Sequence, residues 1–261
     1  MKQIRDEKEI LLLGKKPMGC DTFCFSCHSG VECFTNCCKN VNIDLYPYDI
    51  IRMKNNLAIR SEEFIEQHTF TVIKDNPNFP NVKLRLREDE ERRCPFLTDQ
   101  GCQIYPDRPD ACRIYPLERA VSIVPLRPYM KREFYFLTPQ PVCKGHFEQQ
   151  EWTVKSWLQN QEVSVYNAMN DMWAEIDVFF RTLSPGELDL RDPKMTMAFM
   201  ASYNIDSFRD FIFGSTFMKR YKIKDDMIES IRANDVELMK FGFDWIKFYL
   251  FKIKPIYFKL L

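Results

Sequence analysis

The alternation of apolar and polar residues differs between the two halves of the chain. In the first half, apolar runs are short and are interrupted by proline and other turn-forming residues. The segment VKLRLR (82–87) alternates apolar and basic residues, which predicts a half-buried strand whose basic face, Lys83, Arg85 and Arg87, is solvated. Because the turn-rich segment DNPNFPN precedes it, we expect a hairpin with Phe70–Ile73.

Further short elements are predicted in the same half. Ser122–Leu126 and Phe134–Thr138 have the length and apolar content of a second hairpin. Pro47 predicts the start of a helix over 47–54, since proline at the first helical position loses no helical hydrogen bond. Ser61, which two glutamates follow, predicts the N-cap of another helix with an acidic first turn.

The second half shows the period of helices. Apolar residues spaced alternately by four and three positions predict a helix whose stripe faces the core. This stripe comprises Val165, Met169, Met172, Ile176, Phe179 and Leu183. Asn234 predicts the N-cap of another helix, on which Leu238, Phe241, Trp245 and Phe248 recur at helical spacing. For the final segment FYLFKIKPIYFKLL (248–261) we expect a packed terminal helix, with contact to a membrane surface or a partner as the alternative.

These elements predict an α+β fold that is mostly α. We expect a loop-rich cysteine and metal domain with one or two small β-hairpins, followed by a helical C-terminal region. All ten cysteines precede residue 150, whereas the remainder has helical periodicity and few prolines. We therefore predict two domains, 1–150 and 151–261.

The overall composition excludes several classes of protein. Lys+Arg and Asp+Glu both total 37, and without a basic surplus we expect no nucleic-acid partner. No segment approaches the roughly 18 apolar residues of a transmembrane helix. The N-terminal sequence MKQIRDEKEILLLGKKP lacks the long apolar core of a signal peptide. We expect a cytoplasmic protein, and an unidentified protein partner stays open.

The ten cysteines are the most unusual feature of the composition. We disfavour a disulfide framework because the chain has no signal peptide, exceeds the size that needs stapling and contains the adjacent pair Cys37–Cys38. Reduced thiolates are soft ligands that suit zinc or an iron–sulfur cluster. One close-spaced set runs from Cys20 to Cys38, and a distant set in proline-rich turns comprises Cys94, Cys102, Cys112 and Cys143.

The segment CDTFCFSC (20–27) has the Cys-x3-Cys-x2-Cys spacing with which radical S-adenosylmethionine (SAM) enzymes hold a [4Fe–4S] cluster. Such an enzyme also needs strands that alternate with helices after the motif. The chain instead becomes loop-rich and then helical, and its eight glycines offer little material for a glycine-rich SAM loop. We therefore reject a radical-SAM fold.

Other polar residues near the cysteines have alternative roles. Arg108 and Arg113 either donate to thiolate sulfur and offset its charge or are surface arginines, and both interpretations stay open. His28 and His146 follow cysteines closely and are alternative metal ligands, whereas His68 is expected to be structural.

Three segments resemble the YkgJ-type cysteine-cluster proteins, also described as the CxxCxxCC domain, a zinc- or iron-chelating domain. They are FSCHSGVECFTNCCKNVNIDLYPYDIIRMKNNL (25–57), CPFLTDQGCQIYPDRPDACRIYPL (94–117) and PVCKGHFEQQEWTVKSW (141–157). The second is the most specific, because it combines Cys-Pro-Phe, Gly-Cys-x-Ile-Tyr and Arg-Pro-x-x-Cys-Arg-x-Tyr-Pro. A more distant similarity links the chain to bacterial flagellin lysine N-methylase, which resembles an iron–sulfur, SAM-using enzyme.

The resemblance implies a set of metal ligands. They are Cys27, Cys33, Cys37, Cys38, Cys94, Cys102, Cys112 and Cys143. Cys20 and Cys24 are less favoured extras, although Cys24-x2-Cys27 also fits the short spacing of the family. The eight cysteines are enough for two tetrathiolate sites or one polynuclear site, holding an iron–sulfur cluster ([4Fe–4S]) or Zn²⁺. No catalytic residue and no SAM-binding residue is identified.

Three functions follow, in this order. The first is a cytoplasmic metal-binding protein that holds an iron–sulfur cluster or zinc. The second is a SAM-dependent protein lysine methyltransferase of the flagellin N-methylase type. The third is a redox or metal-handling module in which Cys20 and Cys24 are exposed and labile.

Overall fold

The computed structural model describes residues 16–73, 76–127, 130–183 and 192–261, together with the backbone of residues 2–3. The protein is about 47% helical and 17% strand, which confirms the predicted α+β, mostly α fold class. The described helices are α1 Pro47–Leu57, α2 Ser61–His68, α3 Asp110–Ile114, α4 Val154–Asn160, α5 Val163–Thr182, α6 Pro193–Ser202, α7 Ile205–Gly214, α8 Phe217–Arg220, α9 Asp225–Ala233 and α10 Asp235–Phe251. The described strands are β1 Lys2–Gln3, β2 Thr22–Cys24, β3 Asp44–Leu45, β4 Thr69–Val72, β5 Asn81–Leu84, β6 Leu97–Thr98, β7 Gly101–Cys102, β8 Leu117–Ser122, β9 Arg132–Leu137, β10 Glu151–Thr153, β11 Tyr221–Ile223 and β12 Phe258–Leu260.

The chain forms two compact units, each made of two separate stretches. The cysteine unit comprises Met1–Asp44 and Leu84–Ala168, and the helical unit comprises Leu45–Lys83 and Met169–Leu261. The predicted domains, 1–150 and 151–261, stay a prediction, since compactness is not a test of independent folding. The two groupings differ most for residues 45–83, which the units assign to the helical part.

The cysteine unit is built from small sheets around a compact aromatic core. Strands β8 and β9 form an antiparallel hairpin, and β1 runs parallel to β8. Strand β2 pairs with β10, and β6 pairs with β7. The core beneath these sheets contains Met18, Phe23, Phe25, Ile114, Leu117, Trp157 and Val163.

The helical unit is held together by a larger number of buried aromatic side chains. Helix α10 lies against α1, α6, α7 and α9. Trp173 on α5 contacts the rings of Phe79, Tyr203 and Phe243, and Phe208 on α7 contacts Phe241 and Trp245 on α10. Burial of such large rings is the main stabilising contribution in this unit.

Local capping signals predicted helix starts well, with one correction. Helix α1 begins at Pro47 as predicted, and the backbone N–H of Tyr46 donates to Asp49 Oδ2 at 2.8 Å. Helix α2 is also present, but Ser61 is its first residue and not its N-cap. The Ser61 hydroxyl instead accepts the backbone N–H of Asp206 at 2.9 Å, so it satisfies a donor at the start of α7.

The predicted strand pairs are found with different bounds. Strand β5 ends at Leu84, and Lys83 is buried, so the predicted solvated basic face is wrong at that residue. Strand β4 is its neighbour in a sheet of order β3-β5-β4, as the first hairpin requires. The second hairpin pairs Leu117 through Ser122 with β9, several residues before the predicted Ser122–Leu126.

Helix α5 is present, but its predicted buried face is wrong. Val165 of the predicted stripe is 54% exposed, and of that stripe only Ile176 is fully buried. The face that is buried runs through Tyr166, Asn170, Trp173 and Phe180. Two buried asparagines, Asn167 and Asn170, interrupt its apolar pattern, which hid this face from a search for hydrophobic periodicity.

The C-terminal segment is only partly helical. Asn234 caps α10 as predicted, because its side-chain oxygen accepts the backbone N–H groups of Val236 and Glu237. The helix ends at Phe251, and residues 258–260 form β12, which pairs with β11, so a helix through the final segment was wrong. Among the described residues, no helix has the length and apolarity needed to cross a membrane.

Candidate metal centre

All eight cysteines that were predicted to bind metal lie in the cysteine unit. They come from four stretches of chain that are far apart in sequence. These stretches contain Cys27 to Cys38, Cys94 to Cys102, Cys112 and Cys143. The structure brings thiols from all four stretches close enough to interact electrostatically.

The first group of neighbouring thiols surrounds Cys27. Negative charge on each of three other cysteines raises the pKa of Cys27, which shows that their sulfurs lie nearby. The group is Cys27, Cys33, Cys37 and Cys143. It joins the loop after β2 to the segment that precedes β10.

The second group surrounds Cys38 and continues from the first. Cys94 and Cys112 interact electrostatically with Cys38. Cys102 interacts with Cys94 and also with Cys37 of the first group. The adjacent Cys37–Cys38 pair therefore links the two groups, and the eight thiols form one continuous network.

Backbone hydrogen bonds hold the stretches of this network together. The N–H of Cys94 donates to the carbonyl of Cys38 at 2.8 Å, and the N–H of Asn40 donates to the carbonyl of Arg92 at 3.0 Å. The Arg87 guanidinium donates to the carbonyls of Pro95 and Leu97. These bonds hold Cys94 against the Cys37–Cys38 pair.

The β6–β7 hairpin presents Cys102. It pairs Leu97 with Cys102, and its tight turn leaves Gly101 at a φ of +113°. A β-carbon at Gly101 would lie 3.3 Å from the Phe34 ring, in addition to the strain of that φ. Glycine is therefore needed directly before this cysteine.

A second glycine allows Cys143 to approach Cys27. The backbone of Gly145 packs directly on the segment before Cys27, because the N–H of Ser26 donates to the Gly145 carbonyl at 3.1 Å. A β-carbon at Gly145 would lie 2.5 Å from the Ser26 carbonyl oxygen and 2.9 Å from the Phe25 ring. The sequence analysis missed this residue, although a glycine two positions after a cysteine was a visible signal.

Several backbone N–H groups point at cysteine sulfurs. The N–H of Lys144 donates to Cys33 Sγ at 3.0 Å. The backbone amides of Phe96 and Ile104 favour the ionised forms of Cys94 and Cys102, and the N–H of Leu97 donates to the Cys94 carbonyl at 3.1 Å. Amide donors stabilise negative charge on sulfur, so these positions suit thiolates that bind a metal.

The thiols differ in their tendency to ionise. Burial, with a smaller contribution from the charge of neighbouring thiols, raises the pKa of Cys27 to about 11. Burial also raises the pKa of Cys94 to about 11. The hydrogen bond from Cys38 lowers the pKa of Cys37 to about 7, and the same bond raises the pKa of Cys38. Cys37 is thus the first thiol of the pair to ionise, and metal binding must displace protons from the others.

The two arginines have different surroundings. Arg108 is 8% exposed, lies 3.8 Å from the centre of the Tyr105 ring and carries its charge close to Cys102 and Cys112. Arg113 donates to the carbonyls of Gln161 and Pro106 and faces the Tyr166 ring. Arg108 can offset thiolate charge, whereas the contacts of Arg113 are those of a structural residue.

Tyr115 contacts the network directly, which the sequence analysis did not foresee. Its hydroxyl hydrogen-bonds to Cys143 and accepts the N–H of Gln140 at 3.2 Å. It also lies 3.3 Å from Nε2 of His146, the histidine predicted as an alternative ligand. His28 is exposed, and its Nε2 lies 3.5 Å from Oε2 of Glu148. His68 contacts the Phe64 ring.

Cys20 and Cys24, the two extra cysteines, are both exposed, and so are Cys27, Cys37 and Cys112 of the network. Cys24 lies on β2 opposite Glu151 of β10. Within the described ranges, no three Cys, His, Asp or Glu side chains are arranged closely enough to hold a single metal ion. The eight thiols are thus neighbours in a loose network, and the predicted ligand set stays a prediction.

The chain was compared with known proteins. Residues 26–144 match the model of the CxxCxxCC family, which is described as a "putative zinc- or iron-chelating domain". The matched range contains all eight cysteines of the network and excludes Cys20 and Cys24. No curated protein and no solved structure gives a significant match. The similarity to flagellin lysine N-methylase stays a prediction.

Proposed function

We propose that the cysteine unit holds an iron–sulfur cluster or zinc through its eight-thiol network, and the match of residues 26–144 to the CxxCxxCC family model supports this proposal. One observation carries this proposal: four stretches of chain that are distant in sequence lie side by side at their cysteines, since the Cys94 N–H donates to the Cys38 carbonyl at 2.8 Å, the Lys144 N–H donates to Cys33 Sγ at 3.0 Å, and Cys112 and Cys143 lie within electrostatic range of Cys38 and Cys27. A metal bound among these thiols would displace their protons and offset the charge of the thiolates that it creates.

The surroundings of the thiols support the same proposal. Backbone N–H groups donate to Cys33, Cys94 and Cys102, and the Arg108 charge lies near Cys102 and Cys112. Both features stabilise sulfur as thiolate. The donor set is soft, which suits zinc and iron–sulfur centres and disfavours magnesium or calcium.

We assign an iron–sulfur cluster first and zinc second. The mixed short and long spacings and the adjacent Cys37–Cys38 pair, which joins two groups of thiols, fit a polynuclear centre better than separate zinc knuckles. A bound cluster would supply one-electron chemistry, whereas zinc would supply structural cross-linking. Because either state needs reduced thiols, we propose a cytoplasmic location.

Metal analysis after strictly anaerobic purification tests this proposal. Iron, zinc and acid-labile sulfide are measured in the full chain together with its visible spectrum. We expect a brown protein with about four iron and four sulfide per cluster. A colourless protein with stoichiometric zinc would replace the first assignment by the second, and a protein without either metal would overturn both.

Cysteine variants test whether the network holds the metal. Cys102→Ser removes a network thiol, and Cys20→Ser removes an exposed cysteine outside the matched range. We expect Cys102→Ser to lose metal and Cys20→Ser to retain it fully. Equal metal content in the two variants would contradict the proposed ligand set.

A further inference from the structure

The β11–β12 ribbon of the helical unit has one face fixed by packing. Phe258 contacts the rings of Tyr221, Phe241 and Phe248, and it pairs with the buried Ile223 across the ribbon. The buried Asp244 carboxylate on α10 accepts the backbone N–H groups of Ile256 and Tyr257 at 2.8 and 3.1 Å. The ribbon is thus firmly attached, and its other face is presented to solvent.

The presented face is strongly basic. Lys222 and Lys259 are directly opposite each other across the two strands, so both side chains lie on the same face. Lys224 follows in an extended conformation two residues after Lys222 and is also exposed. Like charges at opposed strand positions destabilise a sheet unless an anion lies between them.

Apolar side chains accompany these lysines. Ile256, just before β12, is 64% exposed. A shallow groove of about 330 Å³ is lined by the three lysines together with Ile223, Ile256, Tyr257 and Phe258. A ligand for this surface must therefore combine negative charge with apolar groups.

No acidic side chain of the described ranges forms an ion pair with Lys222, Lys224 or Lys259. Two further exposed lysines, Lys252 and Lys254, precede the ribbon strand β12 and also have no carboxylate partner there. We propose that this basic and apolar ribbon face docks on the surface of an anionic lipid bilayer. The proposal is independent of the metal centre.

Charge and shape favour a bilayer over a soluble anion. Five lysines on two short segments, 222–224 and 252–259, match the spread-out negative charge of an acidic leaflet, where each contributes separately to binding. Exposed Ile256 and its neighbour Tyr257, which line the groove with the lysines, provide the apolar and aromatic groups that enter the headgroup region. A free phosphate would use the lysines and leave the apolar side chains exposed.

Vesicle sedimentation of the full, metal-loaded chain tests this proposal. We expect sedimentation with phosphatidylcholine vesicles that contain phosphatidylserine and little with phosphatidylcholine alone. Raising the salt concentration from about 0.1 M to about 1 M shortens the Debye length from about 10 Å to about 3 Å and should release the protein. Equal binding to both kinds of vesicle, or to neither, would overturn the proposal.

Matched variants identify the surface. Lys222→Glu/Lys259→Glu should weaken binding to acidic vesicles at least about tenfold. Lys155→Glu/Lys194→Glu changes net charge equally at exposed lysines elsewhere and should bind as the unchanged protein does. Ile256→Ser should weaken binding and Val165→Ser, at another exposed apolar residue, should not. Circular dichroism verifies folding, and equal loss in test and control variants would refute docking through this face.

Discussion

The cysteine unit and the helical unit are stabilised by different means. The helical unit buries large rings almost completely, among them Phe180, Phe208 and Phe241. The cysteine unit has short strands, a smaller aromatic core around Phe25 and Trp157, and a polar network of thiols. A unit with long loops and few buried apolar groups needs another source of stability, and bound metal is the source that its residues favour.

The two units also differ in how their charged and ionisable groups are neutralised. One buried cluster of charges in the helical unit is already paired, since Lys54 contacts both Asp206 and Asp235, and Arg209 contacts the same two carboxylates. The thiols of the cysteine unit have no such cation of their own beyond Arg108, and we propose that a bound metal supplies the positive charge. The folding of one unit is therefore expected to depend on metal, and that of the other is not.

Removal of the metal should have the largest effect. Structural zinc contributes about 10–16 kcal/mol in small metal domains, so the metal-free cysteine unit should lose order while the helical unit keeps it. Hydrogen exchange by mass spectrometry of the metal-loaded and metal-free protein measures this difference. Equal protection of the two units after metal removal would contradict the expectation that only the cysteine unit needs metal to fold.

The same experiment distinguishes the compact units from the predicted domains. Peptides that cover α1 and α2 lie inside the predicted domain 1–150 but belong to the helical unit. If the units are the folding units, these peptides stay protected without metal. If 1–150 folds as a domain, they lose protection together with the cysteines.

Loss of a core ring should have the next largest effect, and only in the helical unit. Phe208 is fully buried against Phe241 and Trp245, so Phe208→Ala should lower the free energy of unfolding by about 3–5 kcal/mol. Urea unfolding followed by circular dichroism measures the change. Metal content should stay unchanged, and the exposed Phe70→Ala is the control, expected to have little effect on stability.

Adding one methyl group in Gly145→Ala should destabilise the cysteine unit, by less than Phe208→Ala destabilises the helical unit. In Gly145→Ala the new β-carbon meets the Ser26 carbonyl oxygen at 2.5 Å, which separates Cys143 from Cys27. We expect a loss of about 1–3 kcal/mol in stability together with reduced metal content, measured by unfolding and metal analysis. Gly214→Ala, where the methyl group meets no atom within 4 Å, should leave both quantities unchanged. Full metal content in Gly145→Ala would show that this contact does not position Cys143.

Acid should have the smallest effect and should act on the ion pairs of the helical unit. Burial raises the pKa of Asp206 and of Asp235, but hydrogen bonds to the two carboxylates outweigh this effect. The Ser61 N–H donates to Asp206, and Arg209 and Lys54 donate to Asp235. Both pKa values therefore lie below their usual range. A carboxyl whose folded pKa is depressed stabilises the fold above its unfolded pKa of about 3.9, and this contribution is lost as pH falls through the folded value.

The metal-free protein is suited to this measurement, because its remaining helical signal reports mainly on the helical unit. Urea unfolding followed at decreasing pH should show stability falling below about pH 4. Lys54→Met removes one cation from both carboxylates and should reduce the dependence on pH in this range. A steeper dependence in that variant would show that other groups titrate.

Several features were predictable because their causes are local. The start of α1 at Pro47 and the cap of α10 at Asn234 depend on residues within one turn of the helix. The fold class followed from the period of the apolar pattern, and the match to the CxxCxxCC family model agrees with the resemblance that three short segments carry. Ser61 shows the limit, since its hydroxyl bonds to a helix that begins at Ile205.

By itself, the sequence determined where α1 and α10 begin and which family pattern is present, because helix caps and cysteine spacings are properties of a few neighbouring residues. Only the tertiary structure decided which face of α5 is buried and that Cys27, Cys38, Cys102 and Cys143 belong to one network. The physical reason is that burial and electrostatic neighbourhood depend on contacts between residues far apart in the chain, and these contacts exist only after the whole unit has folded.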